Sequence, residues 1–254
     1  MQNTQSPTIA IRLGNSAITV CPLTGDAASL DIEMKGGMSA SANLREALKQ
    51  HPEISENHRH AIILADAPTM LVPEEDFSED SMSLVYDHSF SGHENEVKKG
   101  AALPSLRAVA IFAIPRDVQT VCDDHFESTE YLPVCHPVWQ HYGHQSSSVV
   151  RQHLYGYFHD GKVDVFAMSN QRMKFCNAFS ATHPHDAVYY LLNAFSQSGM
   201  KAERDELVLM GATPQMQWIA ENLCKYLKFV SPAFSIQPQA IPLDLALLKQ
   251  SSNK

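Results

Sequence analysis

The chain opens as short apolar runs punctuated by turn-forming residues. Thr8 to Leu13 and Ala17 to Cys21 are strand candidates, joined by Gly14-Asn15-Ser16, a loop of hairpin composition. Ser29 to Met34 alternates Leu30, Ile32 and Met34 against Asp31 and Glu33 and predicts a third strand. Ser41 to Gln50 follows as a short helix with Leu44 and Leu48 on one face. Ala61 to Ala65 reads as a central strand, and Thr69 to Val72 as a short one closed by Pro73. Residues 74–104 are acidic and polar, and support only a helix over roughly 76–87, started by Pro73 and the Glu74-Glu75-Asp76 carboxylates. Arg107 to Ile114 is a strand and Arg116 to Phe126 a helix with Val118, Val121 and Cys122 inward. Tyr131 to Val134 suits a strand, and Pro137 to His144 a helix or turn.

The opening pattern then returns. Val149 to Phe158, Lys162 to Met168 and Arg172 to Phe179 read as strands, with Asp160-Gly161 a strong hairpin signal and Asn170-Gln171 a weaker one. The clearest helix of the chain comes next, with Val188, Leu191, Leu192 and Phe195 at helical spacing. Thr182 is its cap candidate, Pro184 sits just inside its start, and Gly199 stands where a terminating glycine is expected. Glu206 to Met210 is a buried-strand candidate halted by Gly211, followed by a helix from Pro214 to Leu227. Phe229-Val230 starts a last strand, and the tail holds an amphipathic piece, Leu243 to Leu248.

Each half therefore begins with three strands, a helix and a further strand. Three antiparallel strands feeding a crossover helix and a parallel strand make a mixed sheet with helices on its faces. Two such units make an α/β, duplicated ribonuclease-H-like (actin-like ATPase) fold of two lobes. The serine run Ser146-Ser147-Ser148 places the boundary between lobes 1–146 and 147–254.

Composition narrows the function classes. The net charge of −9 argues against a nucleic-acid surface, which needs clustered Lys and Arg. No run approaches the ~18 apolar residues of a membrane span. The first residues lack a basic segment followed by an apolar core, so a secretory signal is not expected. Five cysteines, widely spaced and without a CxxC pair, fit reduced thiols in a cytoplasmic protein. GxxxxGK[ST], GxGxxG and GxSxG are absent.

Three segments carry a resemblance: LVPEEDF (71–77), NAFSATHPHDAVYYLL (177–192) and LVLMGAT (207–213). Together they resemble an uncharacterised bacterial family known as domain of unknown function 3822, over about residues 7–230, with Asn177/Phe179, Asp186 and Tyr189-Tyr190 the most specific element. That family looks like a relative of actin-like proteins of pilus assembly and secretion platforms, and it brings no known activity. The wider superfamily implies a test, because its working members bind ATP between the lobes on the first hairpin of each half. There an acid serves Mg²⁺ and a glycine lets backbone amides approach phosphate.

Here Gly14, Asn15, Ser16 and Thr19 keep the hairpin's shape, but Arg12 holds the acidic position, and an arginine cannot ligate magnesium. The second hairpin keeps its Asp160-Gly161 turn without an acid before an apolar-Gly pair, and the adenine-side loop keeps one glycine, Gly211. The residues for any ligand in an interlobe cleft are thus Arg12, Gly14, Asn15, Ser16, Asp160, Gly161 and Gly211. Arg12 reads equally as an outward side chain on an edge strand, and Gly14 and Gly211 as turn formers.

Other chemistry-bearing residues have plainer readings. His136, His141 and His144 look metal-like, but no carboxylate or HExxH frame accompanies them, so no metal is expected. Asp186 with His183 or His185 could form an acid/base pair, though a first-turn carboxylate on the helix dipole explains it more simply. Cys176, flanked by Phe175 and Phe179, suits a buried structural cysteine better than a nucleophile. Asp123-Asp124 suits a solvated helix face, and Tyr189-Tyr190 one ring in the core and one at a contact. The expected function is a non-catalytic, actin-like-fold protein working through protein interaction, with no cofactor, a protein partner and a homodimer left open. The alternative is a nucleotide- or small-ligand-binding protein, a weak ATPase using ATP and Mg²⁺.

Overall fold

The structure, a computed structural model, describes residues 8–25, 28–145, 151–232 and 241–252. The serine run at 146–148 and most of the tail after Pro232 lie outside the described residues. The chain divides into two compact units, one of residues 1–103, 108–138 and 244–254, the other of 104–107 and 139–243.

In the first unit, β1 (Thr8–Leu13), β2 (Ala17–Pro22) and β3 (Leu30–Glu33) form a meander, followed by α1 (Ala40–Gln50), the single-turn α2 (Glu53–Glu56) and β4 (His60–Ala65). Next come β5 (Thr69–Pro73), α3 (Glu79–Ser89), β6 (Val97–Leu103), β7 (Ala108–Ile114), α4 (Arg116–His125) and β8 (Ser128–Pro133). The main sheet has the order β3-β2-β1-β4-β8, with β1 antiparallel to β2 but parallel to β4, and β4 parallel to β8. Ile9, Ala10 and Ile11 of β1 and Ile63 and Leu64 of β4 are buried, as near-continuous apolar runs in a two-sided sheet should be.

A second sheet, β5-β7-β6, is wholly antiparallel and carries α3. Tyr86, Ile111 and Ala113 form its core, with Met70, Val72, Phe77, Met82 and Phe90 packed against them. Both α2 and β6 escape the periodicity reading. Strand β6 is Val-Lys-Lys-Gly-Ala-Ala-Leu, where two lysines and small residues hide the alternation. Lys98 is nonetheless buried, with its Nζ on Asp87 at 2.7 Å and on the carbonyl of His93 at 2.7 Å. The acidic run Glu74–Asp76 forms a single 3-10 turn, and α3 starts later, after Ser78.

Helix α5 (His136–Gln145) leads into the second unit, which contains β9 (His153–His159), β10 (Lys162–Ser169), β11 (Arg172–Ser180), α6 (Pro184–Gln197), β12 (Glu206–Gly211), α7 (Met216–Leu223) and β13 (Phe229–Pro232). Its sheet, β11-β10-β9-β12-β13, repeats the first unit's order: β9 is antiparallel to β10 and parallel to β12. The predicted turns hold, since Asp160-Gly161 and Asn170-Gln171 both take positive φ at two successive residues, as a type I′ hairpin requires. Helix α6 buries Ala187, Leu191, Ala194 and Phe195 against Leu154, Phe158, Val163, Val165, Leu207 and Leu209.

The ends of α6 differ in how well they follow the expectation. His183, not Thr182, takes the N-cap position, without a side-chain cap bond. At the other end Gly199 adopts φ +70°, with its N–H on Ser196 O and that of Met200 on Phe195 O, a Schellman termination. The C-terminal helix α8 (Leu243–Ser252) belongs from Asp244 onward to the first unit.

Candidate functional site

The hairpin loops are the natural place to look for ligand chemistry, and each is built by its own unit. In the first, β1 and β2 pair as far as Leu13 and Ile18, and the Gly14 N–H donates to Ala17 O at 3.1 Å. Gly14, Asn15 and Ser16 thus follow one another through the loop. Arg12 stands two residues before it, on a strand hydrogen-bonded on both sides, opposite Thr19 on β2 and Leu64 on β4. The expectation of an outward side chain on an edge strand therefore fails. Arg12 is buried, and its Nε donates to Asp244 Oδ2 at 2.7 Å. Asp244 is 0% exposed, and its Oδ1 accepts the backbone N–H of Leu245. A carboxylate in the first turn of α8, where the helix dipole favours negative charge, thus neutralises a guanidinium in the sheet.

In the second unit, Asp160 and Gly161 form the β9–β10 turn, and Gly161 O accepts the N–H of Ala181. Gly211 lies at the same end of the sheet, opposite Phe158 in register. Its φ is +82°, and a Cβ there would fall 2.1 Å from Phe158 O and 2.9 Å from the Tyr157 ring. Its glycine is thus demanded by packing against β9 and by a left-handed backbone.

Two further residues join this hairpin that the sequence reading passed over. His159 is buried between two carboxylates, with Nδ1 3.0 Å from Asp160 Oδ2 and Nε2 on Asp164 Oδ2, while Tyr157 stacks on its ring at 4.8 Å. Each ring nitrogen of His159 thus faces a carboxylate oxygen. The available signal was Asp164 itself, a lone acid in the apolar run Val163 to Met168, which must find a partner to be buried. Asp244, alone in Leu-Asp-Leu-Ala-Leu-Leu, carried the same signal.

Cys176 lies on β11 opposite Phe166. Burial above all, and then the Asp164 charge, push its thiol far above the ordinary range, so it is not poised as a thiolate nucleophile. His183 and His185 are exposed, and His185 packs on Trp218 with ring centroids 4.6 Å apart. Among the three histidines of α5, His136 donates Nε2–H to Ala102 O at 2.8 Å, and burial lowers its pKa. Among the described residues none of His136, His141 and His144 gathers with two other ligating side chains. Tyr190 stacks on Phe179 at 4.5 Å, and Tyr189 points outward.

Comparison with solved structures gives the fold. The chain is similar to a Bacteroides thetaiotaomicron protein with an actin-like ATPase fold and unknown function, at TM-score 0.84 and 20% identity, covering 97% of this chain and 96% of that one. It is similar to the PilM-PilN type IV pilus biogenesis complex at TM-score 0.62 and 12% identity, covering 98% and 99%. The ethanolamine utilization protein EutJ from Carboxydothermus hydrogenoformans matches at TM-score 0.50 and 10% identity, covering 94% and 89%. No curated protein matches the chain. The profile of the family described as "Protein of unknown function (DUF3822)" matches residues 4–230. The chain therefore belongs to the DUF3822 family and has the actin-like ATPase fold, the expected α/β architecture of mixed sheets flanked by helices.

Proposed function

We propose that this protein is a non-catalytic member of the actin-like fold, acting in the cytoplasm through protein–protein interaction. One observation carries the reading. The hairpin position where the resembling ATPases keep an acid for Mg²⁺ holds Arg12, and Arg12 is buried against Asp244. A guanidinium donates hydrogen bonds and cannot ligate a cation, so recruiting Mg²⁺ there would mean breaking a buried ion pair. Gly211, the remaining glycine of the adenine-side loop, is needed by its own strand packing. Support for a protein partner comes from PilM, whose similar structure is of a complex with PilN. Free thiols at all five cysteines fit a reducing compartment.

The second reading, a nucleotide or small-ligand binder, rests on the retained shapes of the Gly14–Ser16 and Asp160-Gly161 hairpins. Thermal unfolding with ATP or ADP, with and without Mg²⁺, separates the two. A ligand at 100 times its dissociation constant stabilises by about 2.7 kcal/mol. We expect no shift at millimolar nucleotide, and a clear one would overturn the non-catalytic reading.

A further inference from the structure

We propose that the outer edge of β11 docks an extended, acidic segment of a partner protein, which adds to the second unit's sheet as a further strand. This inference rests on the protein-interaction reading and names its surface. Strand β11 ends the sheet order, so among the described residues one of its sides has no neighbouring strand. It runs nine residues, Arg172 to Ser180, whereas strands average about 5–6. Such an edge presents unpaired backbone donors and acceptors and is a template for strand addition.

The orientation of those groups follows from the ladder. Ala181 N–H bonds Gly161 O, and antiparallel alternation then turns Phe179 and Asn177 toward β10, with Ala178 and Ser180 turned outward. The outward N–H of Ala178 is met by the Asn177 side chain, Oδ1 at 2.9 Å, a local bond that an incoming carbonyl can replace.

Charge selects the occupant. Lys174 is exposed, and β11 carries no carboxylate, although the chain's net charge is −9. Lys174 falls at the register irregularity, where Ala167 pairs with Phe175 and Met168 with Met173, so it has no counterpart on β10. A carboxylate of the incoming strand set opposite Lys174 makes an opposite-charge pair across the strands, which is favourable. A lysine, an irregularity and a side-chain cap also discourage indiscriminate pairing, and the Lys174 charge disfavours a basic strand. Beside it the stacked Phe179 and Tyr190 lead to Tyr189, which is 64% exposed and 5.4 Å from Tyr190. An exposed tyrosine of this kind anchors interfaces, and the Asn177, Phe179 and Tyr189-Tyr190 set gains one shared role.

The test uses the full chain with a labelled peptide of alternating glutamate and valine, and a lysine–valine peptide as control. Anisotropy reads binding, and amide hydrogen exchange reads residues 172–180. We expect the acidic peptide alone to bind, with exchange slowed at Ala178 and Ser180. A178P removes an outward N–H where proline is tolerated, and K174E reverses the charge; each should weaken binding by roughly tenfold or more without shifting the thermal midpoint. Equal binding of both peptides, unchanged exchange along β11, or full binding by A178P and K174E would overturn the proposal. Self-association that slows β11 exchange without peptide, and that A178P abolishes, would replace the acidic partner with a second copy. Failure here leaves the nucleotide titration unaffected, so the two readings fall separately.

Discussion

Arg12 on β1 and Asp244 on α8 stand 232 residues apart in the chain and meet as a buried ion pair, Nε to Oδ2 at 2.7 Å. The contact ties the C-terminal helix to the central strand of the first unit's main sheet. It leaves Arg12, the residue at the position where the resemblance leads one to expect a metal-serving acid, neutralised by its own counter-ion.

Removing one partner should leave an uncompensated buried charge. Arg12→Ala or Asp244→Asn is expected to destabilise by about 3–5 kcal/mol in urea unfolding. Replacing both by apolar residues, as in Arg12→Met with Asp244→Leu, should recover most of that loss, because neither charge is then stranded.

Gly211→Ala should destabilise for two reasons that act together. The new Cβ would meet Phe158 O at 2.1 Å, and the backbone there has φ +82°. Strain of this kind amounts to about 1–3 kcal/mol before the clash is relieved by movement, and a lowered thermal midpoint would register it. Gly199→Ala, at φ +70° with nothing within 4 Å of the added carbon, should lower the midpoint less.

Asp205 predicts an acid-sensitive step. It is fully buried, accepts the N–H groups of Lys201 and Gln152, and pairs with Arg204. The Arg204 guanidinium first, and the two backbone N–H groups, hold its carboxyl down to about 2 despite the opposing effect of burial. A carboxyl whose folded pKa is depressed stabilises above its unfolded value and loses that contribution as pH falls through the folded one. The loss therefore falls between about pH 4 and pH 2. With Arg204 largely in solvent, the contribution is about 1–2 kcal/mol. Asp205→Asn should lose it at neutral pH and flatten stability across that window.

Alkylation of the folded protein should modify Cys224 first, because it is exposed. Cys122, whose thiol burial pushes up to about 11, and Cys176, raised still further, should react only on unfolding. Peptide mapping after a brief iodoacetamide pulse would read the order, and early labelling of Cys176 would revive it as a nucleophile.

Much of the fold was legible in the chain because local rules and global packing agree. The apolar runs of β1, β4, β7 and β12, the Asp160-Gly161 turn, the stripe of α6 and the Gly199 terminus each follow from short-range chemistry. Two repeats of the same strand–helix order then implied two sheets of the same topology. Strand β6 stayed hidden because burial of Lys98 depends on Asp87 and backbone carbonyls that no alternation pattern reveals.

The site was less legible for a physical reason. Residue identity shows an arginine at position 12, but not where its side chain goes. A lone acid in an apolar run, as at Asp164 and Asp244, announces that it needs a partner without saying which. Coulomb attraction and hydrogen bonding depend on distance in space, and only folding sets Asp244 beside Arg12 and His159 between Asp160 and Asp164. The sequence by itself determined the duplicated mixed sheets and the arginine at position 12. The tertiary structure decided that Arg12 is neutralised within the protein, that Gly211 serves its own strand, and that β11 ends the sheet with its edge open among the described residues.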